Sequence, residues 1–205
     1  NLLRNGVKKS QIFFVGNTMI DTLLTQQKKF RQPNVWRQYN LSKGSYLLMT
    51  LHRPSNVDDP IKLKKIIDLI VASCVDFPIV FSAHPRVDVI LKEICRDAPN
   101  IKIVSSLPYL EFCFLNKNSL AVVTDSGGVS EEATVFGVPC ITLRDTTERP
   151  ETVNIGSNEL VGQNIEKLTL LLQRLFRGQW KTSSVPELWD GNAGDRIVAA
   201  LDKLL

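Results

Sequence analysis

The sequence is short of the residues that build metal centres and disulfide frameworks. Its four cysteines, Cys74, Cys95, Cys113 and Cys140, stand far apart without a CxxC pair. That spacing argues against a thiolate zinc site and favours a reduced, cytoplasmic setting, with Cys113 and Cys140 as small core residues. His52 and His84 are the only histidines, too few for a metal cluster. No apolar run approaches the ~20 residues of a membrane-spanning helix. Basic residues outnumber acidic ones by only 25 to 21 and lie scattered. The charged stripe and aromatic platform of a nucleic-acid binder are missing, while a net charge of +4 suits an anionic ligand. No GxGxxG opens a first βαβ unit, and no Walker loop is present.

The chain opens on Asn-Leu-Leu-Arg-Asn-Gly, without an initiator Met or the pattern of a signal peptide. It reads as the tail of a preceding segment.

What is present is an alternation. Short β-rich runs at 12–15, 46–51, 78–82, 101–104, 120–124 and 139–143 are separated by helical patterns. Leu63, Ile66, Ile67, Ile70 and Val71 recur at helical spacing in 60–73, as do Val87, Ile90, Leu91 and Ile94 in the next unit. In 164–177 the set is Ile165, Leu168, Leu171, Leu172, Leu175 and Phe176. A final helix is expected over 193–205. The predicted fold is α/β, a doubly wound Rossmann-like parallel sheet formed by residues 1–205 as one domain. Ligands of such sheets bind beyond the carboxyl ends of the strands, near the switch in strand order.

Each distinctive polar cluster follows a predicted strand. His52-Arg53-Pro54-Ser55-Asn56-Val57-Asp58 comes first; it is either a capped turn with a solvated Arg53 or a phosphate contact. Ser82-Ala83-His84-Pro85-Arg86 brings the second histidine to an equivalent strand end. Asp125-Ser126-Gly127-Gly128 then runs directly into a helix. Its glycines let phosphate oxygens approach the free amides of the first turn, and Ser126 adds a hydroxyl. At about 100° per residue, Glu132 borders the buried stripe of that helix, whereas Glu131 points away, toward a surface pair or the helix start. Glu132 is the better acceptor for a sugar diol. The fourth cluster, residues 143–151, packs Arg144, Thr147, Glu148 and Arg149 into a polar loop able to neutralise a diphosphate. Gly156 to Gly162 reads as a turn into the next helix.

HRPSNVD, SAHPRV, DSGGVSEEA, LRDTTERPE and GSNELVG together resemble the second domain of the non-hydrolysing UDP-N-acetylglucosamine 2-epimerases, with GNTMIDTL and GNAGDRI as flanks. The similarity covers nearly the whole chain. It implies the second half of a two-domain GT-B architecture and interconversion of UDP-N-acetylglucosamine and UDP-N-acetylmannosamine through 2-acetamidoglucal, feeding polysaccharide biosynthesis. By resemblance, Ser126, Gly127 and Gly128 contact the diphosphate and Glu132 the ribose. His52 and His84 take catalytic parts, with Arg53 beside His52 and His84 also on the phosphates. Arg144, Thr147, Glu148 and Arg149 reach the cleft, and the stretch Leu107 to Phe112, with Tyr109, lines a uracil pocket. No cofactor and no metal are implied. The acidic residues for proton transfer at C2 belong to a first domain this chain does not contain, so the chain alone is expected to be inactive, and the full-length protein a homodimer. Family members often carry HRRENxG where this sequence has HRPSNVD, so the turn after Arg53 differs. A GT-B glycosyltransferase, a hydrolysing relative and a non-catalytic nucleotide-sugar-binding module are the alternatives.

Overall fold

The computed structural model describes residues 2–83, 88–162 and 164–204. Two compact units are present, Lys29–Val185 and the pair of segments Asn1–Lys28 and Pro186–Leu205.

The larger unit is built on six parallel strands, β1 (Leu47–Thr50), β2 (Ile79–Ala83), β3 (Ile101–Ser105), β4 (Ala121–Thr124), β5 (Cys140–Thr142) and β6 (Asn158–Leu160), in the order β3-β2-β1-β4-β5-β6. The chain therefore reverses direction across the sheet between β1 and β4, which is where a doubly wound fold opens a crevice. Residues of β1, β2 and β4 are almost continuously buried, as expected of strands covered on both faces. Alternation divides them between two cores. Leu47, Met49, Ile79 and Phe81 face one layer, and Tyr46, Leu48, Val80 and Val122 face the other.

The helices are α1 (Thr18–Gln26), α2 (Asn34–Gln38), α3 (Pro54–Val57), α4 (Pro60–Ser73), α5 (Asp88–Ile94), α6 (Tyr109–Asn118), α7 (Gly127–Phe136), α8 (Pro150–Asn154), α9 (Ile165–Phe176) and α10 (Ala193–Leu201). Helix α4 spans the expected residues because its signals are local: Asp59 accepts from the N–H groups of Ile61 and Lys62, Pro60 opens the first turn, and Leu63, Ile66, Ile67 and Ile70 are buried. Asn164 caps α9 through the Lys167 N–H, and Leu168, Leu171, Leu172 and Leu175 form its buried stripe. Gly137, at φ +67°, ends α7 in the left-handed conformation.

In the smaller unit, Asp21 of α1 accepts from the N–H groups of Ala193 (3.1 Å) and Gly194 (2.7 Å), holding the start of α10. Gly16, at φ +101°, lies so close to the Leu188 carbonyl that a Cβ would stand 2.2 Å from its oxygen.

Three expectations are corrected. Residues 12–15 form no strand: no sheet lies in this unit's described residues, and Phe13 and Phe14 are 45% and 64% exposed. The segment read as a turn contains β6, a short polar strand paired in register with β5 (Cys140↔Asn158, Thr142↔Leu160). Its sequence carries little apolar signal because Asn158 is held by side-chain bonds to Thr142 (2.7 Å) and Thr152 (3.2 Å). The last helix stops at Leu201 rather than running to the terminus. No described helix is long and apolar enough to cross a membrane.

Candidate functional site

Strands β1 and β4 are neighbours in parallel register, with Thr50 opposite Thr124. The residues that follow each strand therefore leave the sheet side by side, at the switch in strand order. Asp125, the first residue past β4, has no exposed surface. Its carboxylate accepts from the main-chain N–H groups of His52 (3.1 Å) and Arg53 (2.9 Å) and from Asn56 Nδ2 (3.1 Å). The His52 Nδ1 atom lies 2.9 Å from its Oδ1. In turn Arg53 Nε donates to the Asp125 carbonyl at 3.0 Å, and Asn56 Nδ2 also reaches the Leu143 carbonyl at 3.0 Å. One buried carboxylate thus ties together the exits of β1, β4 and β5. Pro54 starts the short helix α3 rather than merely ending a strand, which turns Asn56 inward, 4% exposed.

Beyond Asp125, Ser126 is the N-cap of α7 with no side-chain capping bond. Its N–H donates to Thr124 Oγ1 at 3.0 Å. Gly127 and Gly128 are the first two residues of the helix, whose amino end carries partial positive charge. A Cβ on Gly127 would lie 3.5 Å from Arg144 Nη1 and 3.8 Å from Glu148 Oε2. The guanidinium of Arg144 therefore stands against the start of α7. A cavity of about 190 Å³ opens between Arg53, Ser55, Asn56, Arg144 and Thr146.

The loop after β5 is bonded to itself. Arg144 forms a two-pronged pair with Glu148 (2.9 and 2.6 Å), and Thr147 Oγ1 accepts from the Arg149 N–H at 3.0 Å. The paired guanidinium pulls the Glu148 carboxyl down to about 2. Gly162, at φ +62°, passes close to Asp145, where a Cβ would stand 2.4 Å from its Oδ1. The left-handed conformation favours glycine there, and any side chain would also have to move the Asp145 carboxylate.

Glu131 does not point to solvent. It is 5% exposed and meets Arg149 Nε at 3.3 Å. The helical wheel assumed one exposed face, but Ser130 to Thr134 are five consecutive buried residues, so α7 is covered nearly all round. Glu132 is also 5% exposed and faces α6, where Asn116 Nδ2 approaches its Oε2 at 3.5 Å. Burial pushes its carboxyl up to about 7, against the opposing hydrogen bonds of Tyr109 and Asn116. Partial desolvation, with the nearby Glu132 charge, raises the Tyr109 phenol. Tyr109 and Phe112 line a second cavity of about 320 Å³ together with His52, Thr50, Ser82 and Leu107.

The structure therefore brings His52, Arg53, Ser126, Gly127, Gly128 and Arg144 to one edge, with Glu132, Tyr109 and Phe112 adjoining. His84 lies outside the described residues. Arg149 turns to Glu131, and Thr147 serves its own loop. Sequence reasoning assigned no role to Asp125 or Asn56. The available signal was an acid directly after a strand and an asparagine two residues after Pro54, but their partners are remote in the chain. A cavity of about 800 Å³ between α4 and α5 contains none of the strand-end residues. All four cysteines are free and buried. Among the described residues no three His, Cys, Asp or Glu side chains converge as metal ligands.

Comparison with known proteins adds the family context. The family model described as UDP-N-acetylglucosamine 2-epimerase matches residues 1–202. A UDP-N-acetylglucosamine 2-epimerase of Methanocaldococcus jannaschii is 43% identical, the match spanning 98% of this chain and 57% of that protein. One from Methanococcus maripaludis is 36% identical over 97% of this chain and 56% of its own length. A crystal structure of the Methanocaldococcus jannaschii enzyme in complex with UDP-GlcNAc and UDP superposes with a TM-score of 0.81 at 42% identity, covering 98% of this chain and 57% of that one. The chain spans little more than half the length of these relatives.

Proposed function

Because the chain belongs to the UDP-N-acetylglucosamine 2-epimerase family, we propose that it is the UDP-gripping half of such an enzyme. The whole enzyme interconverts UDP-N-acetylglucosamine and UDP-N-acetylmannosamine by eliminating UDP and adding it back through 2-acetamidoglucal. The observation that carries this reading is the convergence, at the β1/β4 switch, of an uncapped helix start with Arg53 and Arg144.

The diphosphate lies at Ser126-Gly127-Gly128, where free amides and the helix dipole meet its charge, flanked by the two guanidinium groups. His52 lines the adjoining cavity with Tyr109 and Phe112. Glu132 takes the ribose hydroxyls, a neutral partner compatible with a carboxylate beside a diphosphate. Tyr109 and Phe112 line the base pocket. In the reaction this half retains UDP while the sugar is the free glucal. The base that removes the C2 proton must sit within about 2.6–3.2 Å of it, and that role falls to the part of the relatives this chain does not span.

Calorimetric titration tests the reading. UDP should bind at least about tenfold more tightly than uridine, since each charge-assisted bond to the diphosphate contributes roughly 1.5–3 kcal/mol. Equal affinities would refute the diphosphate site. Incubated with UDP-N-acetylglucosamine in deuterated water, the chain should leave the C2 proton unexchanged. Enzyme-dependent deuterium at C2 would place the base within this chain.

A further inference from the structure

We infer that Asp125 is a positioning residue, whose carboxylate holds the His52 imidazole as the Nδ1–H tautomer and presents Nε2 to the pocket lined by Tyr109 and Phe112. What Nε2 faces rests on the proposed function; the tautomer does not.

The hold is geometric. A carboxylate only accepts hydrogen bonds and has room for about four donors. Four are present: the N–H groups of His52 and Arg53, Asn56 Nδ2, and His52 Nδ1 at 2.9 Å. A ring nitrogen that close to a carboxylate oxygen carries the proton, which leaves the lone pair of the neutral ring on Nε2. The main chain that mounts the imidazole is clamped by the same carboxylate, so ring and mount move as one body. Asn56 locks the acceptor from behind through the Leu143 carbonyl, 3.0 Å away. The Asp125 carbonyl extends the hold to Arg53 Nε.

A purely structural Asp125 would need only its main-chain donors and Asn56. The imidazole contact is additional, and it constrains a side chain that is 45% exposed. Left alone, such a ring would exchange tautomers and rotamers with solvent.

The distribution of donors also predicts how the site breaks. The Arg53 N–H and Asn56 Nδ2 converge on Oδ2, and the His52 N–H is shared between both oxygens. In Asp125→Asn the amide keeps its oxygen at the Oδ2 position and places its NH₂ opposite His52 Nδ1. Two donors cannot face each other, so the ring must move its proton to Nε2.

The test is long-range ¹H–¹⁵N correlation of the imidazoles in the uniformly labelled chain at about pH 8, where an ordinary histidine is neutral. With two histidines in the sequence, a His52→Gln variant identifies the His52 signals. The native chain should show a protonated Nδ1 and a bare Nε2. Asp125→Asn should show the reverse at His52, with the His84 pattern unmoved and the amide spectrum still folded. An Nε2–H ring in the native chain, or the same tautomer in a folded Asp125→Asn chain, overturns the inference. If Asp125→Asn does not fold, the native chain decides alone. No nucleotide is in the sample, so failure to bind UDP would remove the proposed function and leave the positioning result standing.

Discussion

Two loops leave the same edge of the sheet and are held in opposite ways. The loop after β1 is fixed through backbone donors to the fully buried carboxylate of Asp125. The loop after β5 adds to its main-chain bonds ion pairs with one exposed member each, Glu148 69% exposed on Arg144 and Arg149 48% exposed on Glu131. Main-chain groups on a buried acceptor cannot trade partners without being orphaned, whereas exposed ion pairs exchange with water or ligand at little cost. The β1 loop is a fixed floor. On the proposed function, Arg144 is the group that trades the exposed Glu148 for an anion, whereas Arg149 stays on the buried Glu131.

The sharpest way to break this contrast is Asp125→Ala. It removes the acceptor of two part-buried N–H groups and of the buried Asn56 amide, at about 1–3 kcal/mol each, so the loss should be roughly 3 kcal/mol or more, read from the urea midpoint. A loss below about 1 kcal/mol would mean that water replaces the carboxylate and the floor is not fixed.

Glu132 and Glu131 repeat the comparison inside α7, the second with a cation and the first with hydrogen-bond donors alone. With its carboxyl raised from 4.5 to about 7, folded Glu132 keeps a proton that the unfolded chain releases between those values. Stability is therefore fully present below pH ~4.5 and falls as pH rises through ~7, by on the order of 3 kcal/mol. Glu132→Gln should flatten that fall between pH 5 and pH 8.5, scored by denaturant midpoints; an unchanged slope would assign it to another group.

Asp21 is an intermediate case, a carboxylate on backbone N–H groups at the start of α10. Asp21→Ala should cost about 1 kcal/mol, with loss of helical circular dichroism. A cost matching that of Asp125→Ala would erase the distinction between buried and partly exposed acceptors.

The smallest effect belongs to Glu148→Gln. Because Arg144 depresses the Glu148 carboxyl, the pair is intact above pH ~4.5 and is lost as pH falls through ~2. Solvent screening holds its contribution below about 1 kcal/mol. UDP should bind about two- to fivefold more tightly to the variant, since Arg144 no longer leaves a charged partner. Unchanged affinity would show that Arg144 does not trade.

Helix α4 was legible because its cap, its first-turn proline and its apolar stripe all lie within a few residues of one another. The buried strands were legible as continuous apolar runs. Residues 12–15 carry the same signal, yet no strand in their unit's described residues is there to pair with them. β6 reverses the case, a polar tripeptide that became a strand because β5 offered an open edge. The carboxyl-edge residues were found by motif and by their place after strands. The wheel placed Glu132 on the buried side and turned Glu131 toward a surface pair or the helix start; Glu131 does pair, with Arg149, but is buried, because a wheel knows one helix and not the layers around it.

By itself the sequence determined the parallel α/β class, the strand-end clusters and the family resemblance, since all three are carried by short spacings along the chain. It left the meaning of Asp125 open. That residue meets His52 and Arg53 across more than seventy positions, and only the parallel register of β1 on β4 sets them side by side. Which donors converge on a buried acceptor is a property of two strands packed together, and only the tertiary structure could decide it.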